Sequence, residues 1–243
     1  MRDLRSCLAV IPARGGSKGI PRKNMKGFLG KPLLAWTIEM ARESGAFDRL
    51  ILSTEDDEIA QIGKAYGAMV PFHRPQALAE DATPTAPVVR HAVEWLIDHE
   101  DWTPEFVMVL EPTSPGRRAF HILEALTLLR TRDADSLASV CEVPHHYVPQ
   151  KLVQLHADGT LTGIEGTHLG HMIHRRQDLP KYFALNGLIF ACRTELVLLN
   201  PPTLWGENVQ AYVVDPKYSV DLDGPEDWAP AEAKLRHILV DEK

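Results

Sequence analysis

Four short apolar runs, Leu8–Ala13, Leu50–Ser53, Met69–Phe72 and Phe106–Leu110, are separated by longer stretches whose apolar residues recur at helical spacing. Leu33, Leu34, Ile38 and Ala41 form one such face, Ile59, Ile62 and Ala65 another, and Val89, Val93, Leu96 and Ile97 a third. Strands that alternate with helices have few ways to pair. They form one mostly parallel sheet, joined by right-handed crossovers and covered by helices on both faces. The pattern predicts an α/β, Rossmann-like fold. Ligands on such sheets collect beyond the carboxyl ends of the strands, which gives weight to whatever follows the first run.

From Pro144 the rhythm breaks. Lys151–Leu155 alternates, Ala157-Asp158-Gly159-Thr160 is a turn signal, and a His- and Gly-rich stretch runs to His174 before the strand-like Phe183–Cys192. Residues 144–182 are expected to form a small β-hairpin excursion from a single domain of residues 1–243. A last strand is expected at Val209–Val214. SVDLDGPEDW then leads to a final helix with Pro225 in its first turn and Asp227 favoured by the N-terminal dipole, and Pro230 is expected to mark a restart.

The 243 residues carry 26 Lys and Arg against 33 Asp and Glu, a formal charge of −7. Nothing favours bulk attraction to nucleic acid or an anionic membrane, so any polyanion must be met locally. No run approaches the roughly 18 apolar residues of a membrane helix, and MRDLRSC has no apolar signal-peptide core. Cys7, Cys141 and Cys192 show no paired spacing. The expectation is a soluble, cytoplasmic protein.

The first run opens into IPARGGSKGIPRKN, Ile11–Asn24, which is neither G-x-G-x-x-G nor G-x-x-x-x-G-K-[ST]. Its glycines Gly15, Gly16 and Gly19 still allow successive N–H groups to face an anion closely, while Arg14, Lys18, Arg22 and Lys23 can neutralise phosphates. Pro21 is expected to keep the basic side chains on one side. A solvated basic turn is the alternative, and the position beyond a strand end argues against it. Late in the chain, Asp221 and Asp223 alternate, so both carboxylates can share one face while Val220 and Leu222 take the other. That suits Mg²⁺, which takes one or two carboxylates, waters and substrate phosphates. The other reading is a capped turn with Asp223 as N-cap; a phosphate loop elsewhere in the chain favours the metal.

Ile11–Asn24 resembles, nearly residue for residue, the signature of the acylneuraminate cytidylyltransferases, which activate sialic acid and related nonulosonic acids as CMP-sugars. HRPQALAED (His73–Asp81) is similar to that family's R-P-x-x-L-A-x-D, and LEPTSPGRR (Leu110–Arg118) to its L-Q-P-T-S-P-x-R. RRQDLP followed by LNG (Arg175–Gly187) and SVDLDGPED (Ser219–Asp227) resemble its two later blocks, so the likeness runs along essentially the whole chain. It implies a nucleotide-diphospho-sugar transferase type of fold, CTP and an acidic nine-carbon keto sugar as substrates, Mg²⁺, and a homodimer formed through the excursion.

By the same resemblance the nucleotide would be held by Ala13, Arg14, Gly15, Gly16, Ser17, Lys18, Lys23, Asn24 and Arg74, with Arg14, Lys18 and Lys23 on the phosphates and Asp221 and Asp223 on the metal. Glu111, Thr113, Ser114, Lys151, Gln177 and Asn186 would shape the sugar side, Lys151 reaching the sugar carboxylate from the partner subunit. The implied reaction is attack by the anomeric hydroxyl on the α-phosphorus of CTP, with release of pyrophosphate and no covalent enzyme intermediate. Two positions depart from the family's pattern: Glu111 stands where it has Gln, and Ala184 where it often has Arg. Both reduce attraction for an acidic sugar, so a nonulosonic acid other than N-acetylneuraminate is expected. Related Kdo-type and other sugar nucleotidyltransferases match the first loop less well, and a non-catalytic nucleotide-binding homologue is disfavoured by the retained aspartate pair.

Other signals favour structure. His168, His171 and His174 are spaced three apart, but no Cys or carboxylate completes a zinc pattern. Glu55-Asp56-Asp57-Glu58 are acids that a helix start attracts. Trp36 and Trp95 are expected to be packed in helices, and Arg117 or Arg118 is a candidate for binding because a cation at a helix start is unfavourable.

Overall fold

A computed structural model describes residues 6–172 and 175–241 of the chain; His174 lies outside them. The first half runs β1 (Cys7–Pro12), a ribbon of β2 (Gly27–Phe28) and β3 (Lys31–Pro32), α1 (Leu33–Ser44), β4 (Arg49–Ser53), α2 (Asp57–Tyr66), α3 (Thr85–Glu100) and β5 (Phe106–Val109). The second half runs α4 (Ala119–Thr131), β6 (Ser136–Glu142), a hairpin of β7 (Val153–Leu155) and β8 (Leu161–Gly163), β9 (Phe183–Arg193), α5 (Thr194–Leu198), β10 (Val209–Val213) and α6 (Pro225–Arg236).

Six strands form the main sheet in the order β10-β6-β9-β5-β1-β4. β1 pairs in parallel with β4 and β5, and β10 with β6, whereas β9 runs antiparallel to both its neighbours. The pleat sorts successive side chains of β1 into two cores. Cys7, Ala9 and Ile11 pack with α1, α2 and α4 residues such as Leu34, Ile59 and Ile122; Leu8 and Val10 pack with Val89 and Val93 of α3 and Val197 of α5. A third cluster gathers Ile20, Phe28, Leu33, Trp36, Leu222 and Trp228, so it ties the loop after β1 to the segment before α6.

Two sequence expectations need correction. Met69–Phe72 is not a strand: Met69 exchanges backbone hydrogen bonds of 2.8 Å with Leu50 and Leu52, but Pro71 has no N–H to extend the ladder, which leaves an isolated bridge at the edge of β4. Pro230 does not restart the last helix; α6 runs through it, held on the third core by Trp228, Ala231 and Leu235. Among the described residues no helix is long and apolar enough to cross a membrane.

The turn after β5 is fixed from inside. Arg117 is 1 % exposed; its Nε donates to Leu188 O (2.6 Å), Nη1 to Thr37 Oγ1 (3.0 Å) and Nη2 to Glu111 O (2.8 Å). Burial pushes its pKa down to about 9, while Glu111 works to keep it charged. Arg117 is therefore a strut rather than a ligand-facing cation. Beside it, Gly116 approaches the Tyr218 carbonyl so closely that a Cβ would collide with backbone. Replacing Arg117 by Met would take the guanidinium donors from two buried acceptors, Leu188 O and Thr37 Oγ1. Arg117→Met is expected to lose about 3 kcal/mol of stability, read from urea unfolding followed by circular dichroism.

Candidate active site

β1, β4 and β5 all end on one edge of the sheet, and the segments leaving them lie together. The Ala13 N–H donates to Ser53 O and the Leu110 N–H to Val10 O, both at 3.0 Å, so these segments start in register. Within the glycine-rich loop the Gly15 N–H donates to Glu55 Oε1 (2.7 Å), and buried Asn24 donates through Nδ2 to Arg14 O (3.0 Å), closing the loop on itself. Arg22 adopts a left-handed backbone conformation, φ 54°, at the exit.

The loop cations do not stay on one side as expected from Pro21. Arg14 and Lys18 both pair with Asp81, whose carboxyl they hold below the usual carboxylate range, Lys18 most strongly. Arg22 turns the other way, to Asp56 (2.6 Å) and Glu58 (3.0 Å) at the start of α2. Lys23 crosses to the far end of the chain, donating from Nζ to Leu222 O at 2.6 Å. Arg74 is buried beside the loop and pairs with Glu55 at 2.9 Å. Together with Ser17, Asn24, Glu111 and Thr113, Arg14, Lys23, Arg74 and Asp81 line a cavity of about 310 Å³.

The acidic segment closes this site. Leu222 is buried in the third core while Asp221 and Asp223 stay exposed, the alternation expected from the sequence. The Leu222 N–H donates to Thr113 O at 3.1 Å, and Gly19 lies against the Asp223 carbonyl with no room for a Cβ. Asp223 is not the cap of α6. The N-cap is Gly224, and Asp227 in the first turn reaches back to accept the N–H groups of Asp223 (3.0 Å) and Gly224 (2.8 Å), which leaves the Asp223 carboxylate uncommitted to the turn. Crowding by protein raises the Asp221 pKa and repulsion from Asp223 adds to it, against smaller opposing effects of Thr113 and Lys23. Burial likewise raises Glu111, with Asp221 adding to the shift and Arg117 and Lys23 resisting it.

Exposed carboxylates that repel one another offer oxygen donors to a hard divalent cation. Among the described residues no three His, Cys, Asp or Glu side chains gather as a ready-made metal cage. Asp221 and Asp223 supply two carboxylates, a number that suits an ion completing its shell with water and phosphate.

On the other flank, Ser114 Oγ donates to Asn186 O (3.4 Å), and the buried Asn186 Nδ2 finds no partner among the described residues. Glu111, Thr113, Ser114 and Asn186 thus stand together beside Asp221. Lys151 and Gln177 do not join them within one chain. Gln177 lines a groove of about 1080 Å³ beneath the excursion, and Lys151 a neighbouring cavity of about 430 Å³ with His145, His146 and Arg176. Arg118 precedes α4, its N–H donating to His121 Nδ1 at 3.0 Å. Glu55 reads in the sequence as a helix-start acid and Asp81 only as the end of the His73–Asp81 motif, so neither is assigned there to the site. Glu55 stands directly after β4, the parallel neighbour of β1, whereas Asp81 lies in the connection between α2 and α3.

Residues 8–112 match the cytidylyltransferase sequence family. The chain is 34 % identical over 223 residues to an N-acylneuraminate cytidylyltransferase of Streptococcus agalactiae, a match covering 91 % of this chain and 51 % of the relative. It thus spans about half the length of that relative. It is 32 % identical over 234 residues to the CMP-N,N'-diacetyllegionaminic acid synthase of Legionella pneumophila, covering 93 % of this chain and 94 % of the relative. Its fold is similar to that of a CMP:2-keto-3-deoxy-manno-octonic acid synthetase solved with CTP, at a TM-score of 0.70 and 15 % identity over 96 % of this chain and 100 % of that one.

Two consequences can be measured. Gly19→Ala must push the loop off the Asp223 carbonyl, whereas a Cβ on Gly16 meets nothing within 4 Å. Gly19→Ala is expected to cost about 1–3 kcal/mol in urea unfolding and Gly16→Ala less than about 0.5 kcal/mol. A carboxyl whose pKa is raised by folding is ionised at a cost that is absent below its unfolded pKa and complete above its folded one. Asp221→Asn is therefore expected to be more stable than the natural chain at pH 7 without divalent cations. That gain should fade as pH falls through the raised pKa and vanish near ~4, followed by thermal melting across pH.

Proposed function

Since the chain belongs to the acylneuraminate cytidylyltransferase family, we propose that it transfers CMP from CTP to the anomeric hydroxyl of a nonulosonic acid and releases pyrophosphate. The observation that carries this reading is the meeting of the cationic loop with the late acidic pair, made by Lys23 on Leu222 O and Gly19 on the Asp223 carbonyl. A triphosphate seated there has cations on one side and carboxylates suited to its counter-ion on the other.

The sugar's anomeric oxygen forms a new bond to the α-phosphorus. The bond from that phosphorus to its bridging oxygen breaks, and pyrophosphate leaves with the electron pair while the hydroxyl proton goes to water. Arg14 and Lys18 exchange Asp81 for phosphate oxygens, Lys23 and Arg74 add positive charge, and the loop N–H groups fix the phosphates, so alignment and charge stabilisation supply the catalysis. Asp221 and Asp223 would hold Mg²⁺, which would neutralise charge on the triphosphate. Asn186, whose Nδ2 has no partner among the described residues, and Ser114 offer hydrogen bonds to the sugar.

Glu111 brings a carboxylate to a pocket that must admit an acidic sugar, and Ala184 brings no cation, which supports a nonulosonic acid other than N-acetylneuraminate. Exposed Tyr147, Leu155, Phe183 and Leu185 on and beside the excursion support a homodimer in which Lys151 of one protomer serves the site of the other. Free thiols at Cys7, Cys141 and Cys192 support work in the cytoplasm.

The test is pyrophosphate release from CTP and Mg²⁺ with a panel of nonulosonic acids and Kdo. One nonulosonic acid is expected to turn over best, and Asp221→Ala and Asp223→Ala to lose more than about 100-fold in rate while CTP binding without metal persists. Turnover by both variants at the natural rate would remove the metal assignment; no product with any sugar would remove the activity.

A further inference from the structure

Glu55 has no part in the reaction as drawn above, and its position before α2 reads as a helix-start acid. The structure gives that task to Asp56, which accepts the N–H groups of Glu58 and Ile59, each at 3.0 Å. The two oxygens of Glu55 are engaged on the loop side instead. Oε1 accepts the N–H of Gly15, the first glycine of the phosphate loop, at 2.7 Å, and Oε2 accepts Nη2 of Arg74 at 2.9 Å. This pair is sheltered: side-chain exposure is 4 % for Arg74 and 16 % for Glu55. Arg74 is also tied by its backbone, its N–H donating to Thr54 O at 2.9 Å.

Arg74 lines the 310 Å³ cavity, and its buried Nε has no hydrogen-bond partner among the described residues. Burial pulls its pKa down, Glu55 opposes that, and the charge of nearby Arg14 adds to the strain. An arginine in this setting needs one fixed anchor if its free edge is to face a ligand in a constant direction. Glu55 is that anchor, and the same carboxylate holds the mouth of the loop.

We propose that Glu55 is a positioning residue for nucleotide binding: through one carboxylate it locks Gly15 and Arg74 into a single unit, and it acts on the nucleotide only through them. This role rests on the reaction proposed above. A carboxylate so close to a phosphate site would by itself weaken anion binding, so a positioning role and a simple electrostatic one predict opposite signs for its neutralisation.

The isosteric Glu55→Gln separates them. Its amide oxygen can still accept from Gly15, but its NH₂ faces the Arg74 guanidinium, donor against donor. With CTP and Mg²⁺ in titration calorimetry, at a temperature where circular dichroism shows both proteins folded, E55Q is expected to weaken CTP binding about tenfold. Arg74→Ala should weaken binding at least as much, and the double variant should be no weaker than Arg74→Ala alone, because E55Q acts only through Arg74. Glu55→Ala, which frees Gly15 as well, should be weaker than E55Q. Unchanged or tighter binding by E55Q, or losses that multiply in the double variant, would overturn the role. Absence of CTP binding by the natural chain would overturn the proposed reaction and this role with it, whereas normal binding by both the natural chain and E55Q would overturn this role alone.

Discussion

The hydrogen bond from Lys23 Nζ to Leu222 O joins positions 199 residues apart and brings a loop from the first strand onto a segment just before the last helix. It does not stand alone. Ile20 and Leu222 are buried in the same cluster with Trp228, and Gly19 presses on the Asp223 carbonyl, so the polar link lies beside an apolar seam that excludes water. Burial of these side chains supplies most of the attraction, and the hydrogen bond fixes the register. The order of elements makes this meeting possible: β1 lies inside the sheet, its loop leaves from the carboxyl edge, and α6 packs back over that edge.

Once the two segments meet, charge decides what the place can do. Burial raises the pKa values of Asp221 and Glu111, and the mutual repulsion of Asp221, Asp223 and Glu111 adds to it. Lys23 offsets part of it, and a divalent cation would offset more. The cations divide by exposure. Lys18, 81 % exposed, and Arg14 hold Asp81 in pairs that water screens, so in the proposed reaction a triphosphate with several formal charges would take them over. The Arg74–Glu55 pair is sheltered and costly to break, which suits it to stay intact while ligands come and go. A protein of net charge −7 can thus meet a polyanion by local exchange of counter-ions, without a basic surface.

The alternation of apolar runs and helical faces made the sheet legible, and the strand-end rule placed the loop. Met69–Phe72 misled because apolar content alone does not reveal that Pro71 lacks the N–H a ladder needs. Asp221 and Asp223 could be paired by their two-residue spacing, with Leu222 turned inward as expected. The partners of individual charges were not legible. Arg14, Lys18, Arg22 and Lys23 look alike in sequence, yet they go to three different places, because side-chain direction depends on loop turns such as the left-handed one at Arg22. Glu55 shares an acidic run with a true cap, and only the parallel pairing of β1 with β4 reveals that it faces the loop. Lys151 and Gln177 belong to the excursion and line cavities apart from the one beside the loop.

The flank proposed to meet the sugar is built so that its side chains can change without changing its shape. Arg117 holds the main-chain carbonyl of Glu111, not its carboxylate, and Leu188 O fixes the other side of the same guanidinium. The backbone at position 111 is therefore held by a buried group that is indifferent to the side chain it carries. Exchange of an amide for a carboxylate there alters charge and hydrogen-bond polarity at the pocket while leaving the turn in place. Asn186 is anchored in a similar way: its carbonyl accepts from Ser114 and its Oδ1 from the Leu188 N–H at 3.3 Å, which leaves the amide nitrogen to meet a ligand. Rigid main chain with adjustable side chains is what the proposed nucleotide transfer would need to keep the α-phosphorus aligned while the acceptor varies.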